Sequence, residues 1–203
     1  DAFAKVMGVK EPVFHEVVDK IKKCVAIKRK NQLPVTIGLQ MVLLPEYIDQ
    51  VLPLALLGRE LGVDYTVIKH CSDDEHGRLG VDYAWYHKPE VSEVLHFAEG
   101  LSTADYSVQA KWSKLMTGNA RKYSRCFGPA LMLQMSGTCL VAPCGSLFHT
   151  DYEEFHIGNY AVDRFKDIWA SERYWSVMGH LCSDEFDPRH RCAALCLQDK
   201  VNE

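Results

Sequence analysis

Along the first eighty residues the apolar positions recur with two periods in turn. Pro12 stands where a first helical residue tolerates the lost N–H, and Phe14, Val17, Val18, Ile21 and Val25 follow at helical spacing. The stretch from Val35 to Leu44 is almost continuously apolar, the pattern of a strand covered on both faces of a parallel sheet. Pro45 and Glu46 open a further helix with Ile48, Val51, Leu52 and Ala55 on one face, and Gly62 closes it. Tyr65 to Ile68 is another β-rich run. Helix, buried strand, helix, buried strand, with short connections, predicts right-handed βα units in an α/β sheet or barrel.

The grammar changes after His70. His70 to Gly80 is a polar, acidic, glycine-containing loop placed after a strand, where open α/β folds and barrels keep their ligands. Pro89 to Leu101 reads as a helix carrying Val91, Val94, Leu95 and Ala98, and Tyr106, Val108, Ala110 and Trp112 alternate with polar residues as a half-exposed strand would. Leu131, Leu133 and Met135 alternate up to Ser136 and Gly137, and Leu140 to Ala142 return, which predicts a β-hairpin. Asp163 to Trp169 and Glu172 to Leu181 read as short helices ahead of a cysteine-bearing tail. No internal repeat interrupts this order. A boundary between residues 100 and 120 therefore separates an α/β part, residues 1–110, from a small cysteine-rich α+β module, residues 111–203.

Composition narrows the function classes. With 47% apolar and 25% charged residues the 203-residue chain is an ordinary globular one, which excludes disorder. No apolar run approaches the roughly 18 residues of a membrane span, and the alternation from Asp1 to Lys20 is not that of a signal peptide. A net charge of -4 is too balanced for a chain living on nucleic acid or anionic lipid. The basic cluster Lys20, Lys22, Lys23, Lys28, Arg29 and Lys30 falls toward a helix C-terminus, whose dipole favours cations, and reads as a solvated helix end rather than a phosphate site. Hydrolase, nucleoside-triphosphatase, Rossmann and zincin motifs are all missing. The unusual count is eight cysteines: Cys24 and Cys71 lie in helix and strand patterns, and the other six fall from Cys126 onward. That clustering suggests a thiolate site in a cytosolic chain rather than a disulfide framework.

Four of the six stand out by position. Cys126 precedes the hairpin, Cys144 lies at its far end, and Cys192 and Cys196 form a C-x3-C pair in the tail. A hairpin brings its two ends together, and a C-x3-C turn supplies two thiolates on one side. Four converging thiolates suit an iron–sulfur cluster or a structural zinc, since both stabilise deprotonated sulfur and tie together a module too small for a strong core. His190 and Cys182 offer a mixed zinc site, so a zinc-stapled binding or scaffold module without catalysis is the competing reading. Cys139 and Cys182 otherwise read as buried thiols packing as small hydrophobes. The loop residues Asp73, Asp74, Glu75 and His76 are candidates for a substrate entrance; consecutive positions splay their side chains, which disfavours a hard-metal site. His149 and His156 flank the stretch from Asp151 to Phe155, read as an exposed loop rather than a catalytic pair.

The stretch from Cys126 through Gly137, Val141 to Gly145 around Cys144, Ile157 to Asn159, Phe165 to Trp169, Ser171, Tyr174, and Cys192 and Cys196 ahead of Asn202 together resemble a known module. It is the C-terminal auxiliary-cluster module of radical S-adenosylmethionine (SAM) enzymes, of the SPASM or shortened "twitch" type. The segments Ala2 to Gly8, Phe14 and Val17, and Leu61 to Asp64 resemble the second half of the same enzymes' partial (β/α)6 TIM-like barrel. The resemblance implies 5'-deoxyadenosyl radical chemistry on a peptide or small metabolite, with an electron donor such as flavodoxin or ferredoxin. It implies an auxiliary 4Fe–4S cluster on Cys126, Cys144, Cys192 and Cys196, serving electron transfer or structure. It also makes Gln40 and Lys69, near the ends of consecutive barrel strands, candidates for contact with SAM. The family's SAM-cluster motif, C-x3-C-x2-C, does not occur in these residues. With a start at Asp1 inside a structural pattern, the expectation is the C-terminal part of a longer enzyme, whose SAM and second 4Fe–4S cluster belong to the full-length protein, because an orphan half-barrel exposes strand edges.

Overall fold

The computed structural model describes residues 2–74, 76–117, 121–192, 196 and 198–202. The chain divides into two compact units, one made of Asp1–Cys71 with Asp82–Gly118 and the other of Ser72–Val81 with Asn119–Glu203.

The first unit is α/β. It runs α1 (Ala2–Met7), α2 (Pro12–Lys30), β1 (Gly38–Leu43), α3 (Val51–Leu61), β2 (Tyr65–His70), α4 (Pro89–Glu99), β3 (Ser107–Ala110) and α5 (Trp112–Thr117). The strands pair in parallel in the order β1-β2-β3, with α3 and α4 as the crossovers, as the alternating pattern requires. Gly62, at φ +69, ends α3 in the left-handed conformation that glycine adopts without steric cost. The α3 backbone comes so near the sheet at Gly58 that a Cβ there would lie 2.5 Å from the Thr66 hydroxyl and 2.6 Å from that of Tyr106. The Tyr106 hydroxyl, buried in the same place, hydrogen-bonds the Ala55 carbonyl at 2.7 Å and the Thr66 hydroxyl at 2.8 Å, so the polar groups of this interface are paired. The basic end of α2 is used structurally. Lys28 bonds both carboxylate oxygens of Asp64, which also accepts the Ile37 N–H at 2.6 Å. That backbone N–H first, and the Lys28 ammonium second, hold the Asp64 carboxyl below its usual range.

Four sequence expectations change in this unit. The helix expected to open at Pro45 and Glu46 and to carry Ile48 begins as a kinked 3-10 segment, Pro45–Gln50, and α3 itself starts at Val51. The apolar run from Val35 to Leu44 is not covered on both faces: β1 begins only at Gly38, its burial alternates, and Val35 and Val42 are each 48% exposed. The Gly38–Gln40–Val42 face of β1 lies exposed, so only the other face of the strand is packed. β2 extends two residues beyond Ile68, because Tyr86 donates its hydroxyl to the Leu43 carbonyl at 2.6 Å and accepts the Cys71 N–H at 3.0 Å, tying the two strand ends together. Trp112 is not in a strand but opens α5, its indole N–H donating to the Glu99 carboxylate at 3.0 Å.

The second unit is a small α+β module. A three-stranded antiparallel sheet joins β4 (Gln134–Met135), β5 (Leu140–Ala142) and β6 (Gly158–Asn159). Four short helices follow: α6 (Phe165–Trp169), α7 (Glu172–Leu181), α8 (Pro188–Arg191) and α9 (Asp199–Asn202). Ser171 caps α7 by accepting the Tyr174 N–H at 3.1 Å. The hairpin is shorter than its sequence pattern, and Leu131 and Leu133 lie outside it. The stretch from Asp151 to Phe155 is not an exposed loop: a 3-10 turn spans Thr150–Phe155 and buries Tyr152 and Phe155 in the core with Val141, Leu147, Ile168 and Phe186. Charged residues alternating with two aromatics masked an inward face. Among the described residues, no helix is long and apolar enough to cross a membrane.

Candidate functional site

Three separate stretches of the second unit deliver its thiols to one place. Cys126 precedes a 3-10 turn at Gly128–Ala130 and is fixed by its N–H donating to the Leu181 carbonyl at 2.9 Å. Cys144 follows β5 in an extended conformation before the turn Gly145–Leu147. Cys192 follows α8, and Cys196 precedes Gln198 and α9. All four border a single cavity of about 660 Å³. Cys126, 9% exposed, belongs to the module's hydrophobic core, and Cys144 and Cys192 pack against that core. The module thus completes its interior with sulfur.

Their electrostatics follow from that placement. Burial pushes the Cys144 thiol up to about 11, and the neighbouring Cys126 and Cys196 add to the shift. Burial first, then Cys144, Cys126 and Cys196, push Cys192 up strongly, while Arg121 opposes. Cys126 is raised chiefly by burial and eased by the Gly128 backbone and the Asn202 amide. Mutually raised thiols are protonated at neutral pH unless a cationic centre replaces the protons, so loading such a centre releases protons and is favoured as pH rises.

The spacing bears on what the site can hold. A tetrahedral zinc needs every sulfur about 2.3 Å from one point. Among the described residues, no three His, Cys, Asp or Glu side chains are grouped so as to hold one metal ion. Thiolates of a four-iron core sit on different irons and stand farther apart than those round one zinc ion. His190 does not contribute: its imidazole is 80% exposed and lies 3.9 Å from Asp187. Cys182 and Cys139 are half-buried rather than buried. Cys139 occupies the hairpin turn at φ +62, and the Cys182 thiol donates to the Cys126 carbonyl at 3.5 Å. Local geometry at a turn and a helix end, not core packing, sets their exposure.

The rest of the wall comes from the loop Ser72–Val81, of which Ser72, Asp73, Asp74, Arg78 and Leu79 border the cavity. Its two aspartates are spent on the loop itself. Asp73 accepts the N–H groups of Asp74 and Leu79 at 2.9 Å and of Val81 at 3.1 Å. Asp74 accepts those of His76 at 3.0 Å and Arg78 at 3.2 Å and pairs with the Arg78 guanidinium at 3.4 Å. Glu75 lies outside the described residues. The Leu79 N–H, the strongest influence, holds the Asp73 carboxyl below its usual range. A depressed carboxylate stabilises fully above its unfolded value, about 3.9, and that contribution is lost as pH falls through the lower folded value. Asp73→Ala is expected to speed hydrogen exchange at Leu79 and Val81 by roughly tenfold or more at neutral pH, with the wild-type amides losing protection only in acid. Unchanged exchange at those two amides would rule out Asp73 as the organiser of this wall.

Sequence reasoning missed His149, which borders the same cavity. It also missed Arg121 and Tyr123, whose signal was only their position just before Cys126. Tyr123 donates its hydroxyl to Asp199 at 2.7 Å, 4.0 Å from the Cys196 sulfur, and the Arg121 Nε lies 3.5 Å from Asp199. In the first unit, Gln40 and Lys69 share one face of the sheet, since Gln40 pairs with Val67 and Val42 with Lys69. Gln40 is exposed and Lys69 half-buried, and among the described residues neither side chain is engaged in a hydrogen bond or ion pair. No protein-family model matches the chain, and no curated protein matches it.

Proposed function

We propose that this chain is the C-terminal part of a radical SAM enzyme acting on a peptide or a small metabolite. In this reading the first unit is the second half of a partial (β/α)6 barrel, and Cys126, Cys144, Cys192 and Cys196 hold an auxiliary 4Fe–4S cluster. The observation that carries the reading is the meeting of these four thiols, from three stretches of chain, on one cavity of the small module.

A four-iron cluster held there supplies one-electron transfer and ties the module together. With each iron ligated by cysteine no iron is left open, so substrate binds elsewhere in the parent enzyme. The chain's own part is to bring the four sulfurs to one cavity, line it with the apolar Leu147, Leu181 and Phe186, and complete its wall with the Asp73-organised loop. On the exposed sheet face, Gln40 and Lys69 are placed to contact the methionine or ribose part of SAM, and a flavodoxin or ferredoxin serves as electron donor.

Anaerobic incubation with ferrous iron and sulfide tests the reading. The expected product is brown, absorbs broadly near ~400 nm and carries about four irons per chain. A colourless protein that takes up one zinc in preference to iron would replace the cluster by a zinc-stapled scaffold.

A further inference from the structure

The groups that face the sulfurs from behind are not those a purely structural staple needs. Asn202, in α9, accepts the Phe127 N–H with its side-chain oxygen at 2.7 Å. That bond fixes the amide orientation and turns the NH2 group toward the Cys126 sulfur at 3.5 Å, with the Gln198 carbonyl at the same distance. The donor is therefore aimed at a ligand atom by a backbone contact rather than by chance rotation. On the other side, Arg121 keeps its side chain only 1% exposed, with Asp199 at 3.5 Å. Asp199 also accepts the Tyr123 hydroxyl, which lies 4.0 Å from the Cys196 sulfur, so Arg121 neutralises a carboxylate whose charge otherwise bears on that side of the site.

We propose that Asn202 and Arg121 are positioning residues that raise the reduction potential of the thiolate-held centre, making it an electron carrier rather than a staple alone. The inference rests on the cluster reading above. In the step concerned, one electron from a low-potential reductant enters the cluster, and no bond forms or breaks. The added negative charge spreads over the irons and the ligand sulfurs. An N–H aimed at a sulfur and a cation that neutralises a carboxylate beside the site both favour the reduced form over the oxidised one, so both move the potential upward. Asp199 and Tyr123 complete the arrangement by holding Arg121 and the Cys196 side in place.

The test uses the reconstituted chain, with iron and sulfide measured first and the midpoint potential then read by a dithionite titration followed by electron paramagnetic resonance. Asn202→Ala removes the donor. Asn202→Asp keeps the acceptor for the Phe127 N–H while placing an oxygen against the sulfur. Arg121→Gln removes the cation, and Arg121→Lys restores it. The expected result is full iron content in all four, with the reduction equilibrium of Asn202→Ala and Arg121→Gln falling about tenfold, which is about 59 mV for one electron. Asn202→Asp falls further, and Arg121→Lys returns toward the wild-type potential. Potentials that stay at the wild-type value in iron-replete variants overturn this inference and leave the cluster reading standing. Loss of iron from the Asn202 variants makes that residue a holder of Cys126 and likewise overturns it. A wild-type chain that takes up no iron removes the cluster reading and this inference together.

Discussion

Replacing Cys144 and Cys192 together by alanine is expected to lower bound iron from about four per chain to below about one after reconstitution. The two thiols come from different stretches of chain and border the cavity with Cys126 and Cys196, so the double variant leaves only two sulfurs for four irons. Replacing Cys24 and Cys139 together is the matched control, because neither borders the cavity, and it should retain full iron and colour. The apoprotein gives a second readout. Cys144 and Cys192 are half-buried thiols whose ionisation is pushed upward, so apo stability should fall only by the modest cost of two trimmed side chains, about 1–2 kcal/mol each. The stabilisation that iron and sulfide confer on the wild type should vanish in the variant, since a ligand that binds only the folded state raises its stability by mass action. Equal iron in variant and control would place the cluster somewhere other than this cavity.

Phe155→Ala is expected to cost about 3–5 kcal/mol of the stability of the second unit, a large part of the roughly 5–15 kcal/mol available to a typical domain. The ring is fully buried and meets Phe186 edge-on at 5.5 Å and His180 at 5.2 Å. Phe186 and Leu181 in turn border the thiol cavity. The void left by the ring therefore lies one residue behind the thiol-lined cavity, and iron uptake on reconstitution should weaken along with the fold. Urea unfolding followed through Trp169 and Trp175 measures the loss as a lower midpoint at unchanged slope. A midpoint within about 1 kcal/mol of wild type would show that the core can collapse around the missing ring.

Much of the first unit was legible because its signals are local. Proline at the starts of α2 and α4, glycine after α3 and the alternation of periods each report on their own neighbourhood. The edge position of β1 was not legible, because an apolar run reads the same whether its outer face is covered or exposed. In the second unit, the three acidic neighbours of Tyr152 and Phe155, Asp151, Glu153 and Glu154, concealed a buried pair, since a 3-10 turn does not follow the 3.6-residue period.

Residue identity and spacing alone were sufficient for the α/β character of the first unit and for the hairpin, and they singled out Cys126, Cys144, Cys192 and Cys196, which all border one cavity. Those features depend on short-range periodicity or on a hairpin joining its own ends. Tertiary packing alone placed the Ser72–Val81 loop with the second unit, set the Asn202 amide beside the Cys126 sulfur and paired Arg121 with Asp199. It also spent the oxygens of Asp73 and Asp74 on backbone amides. Contacts between residues distant in sequence leave no period behind, and which donor meets which acceptor is decided only when the chain closes on itself.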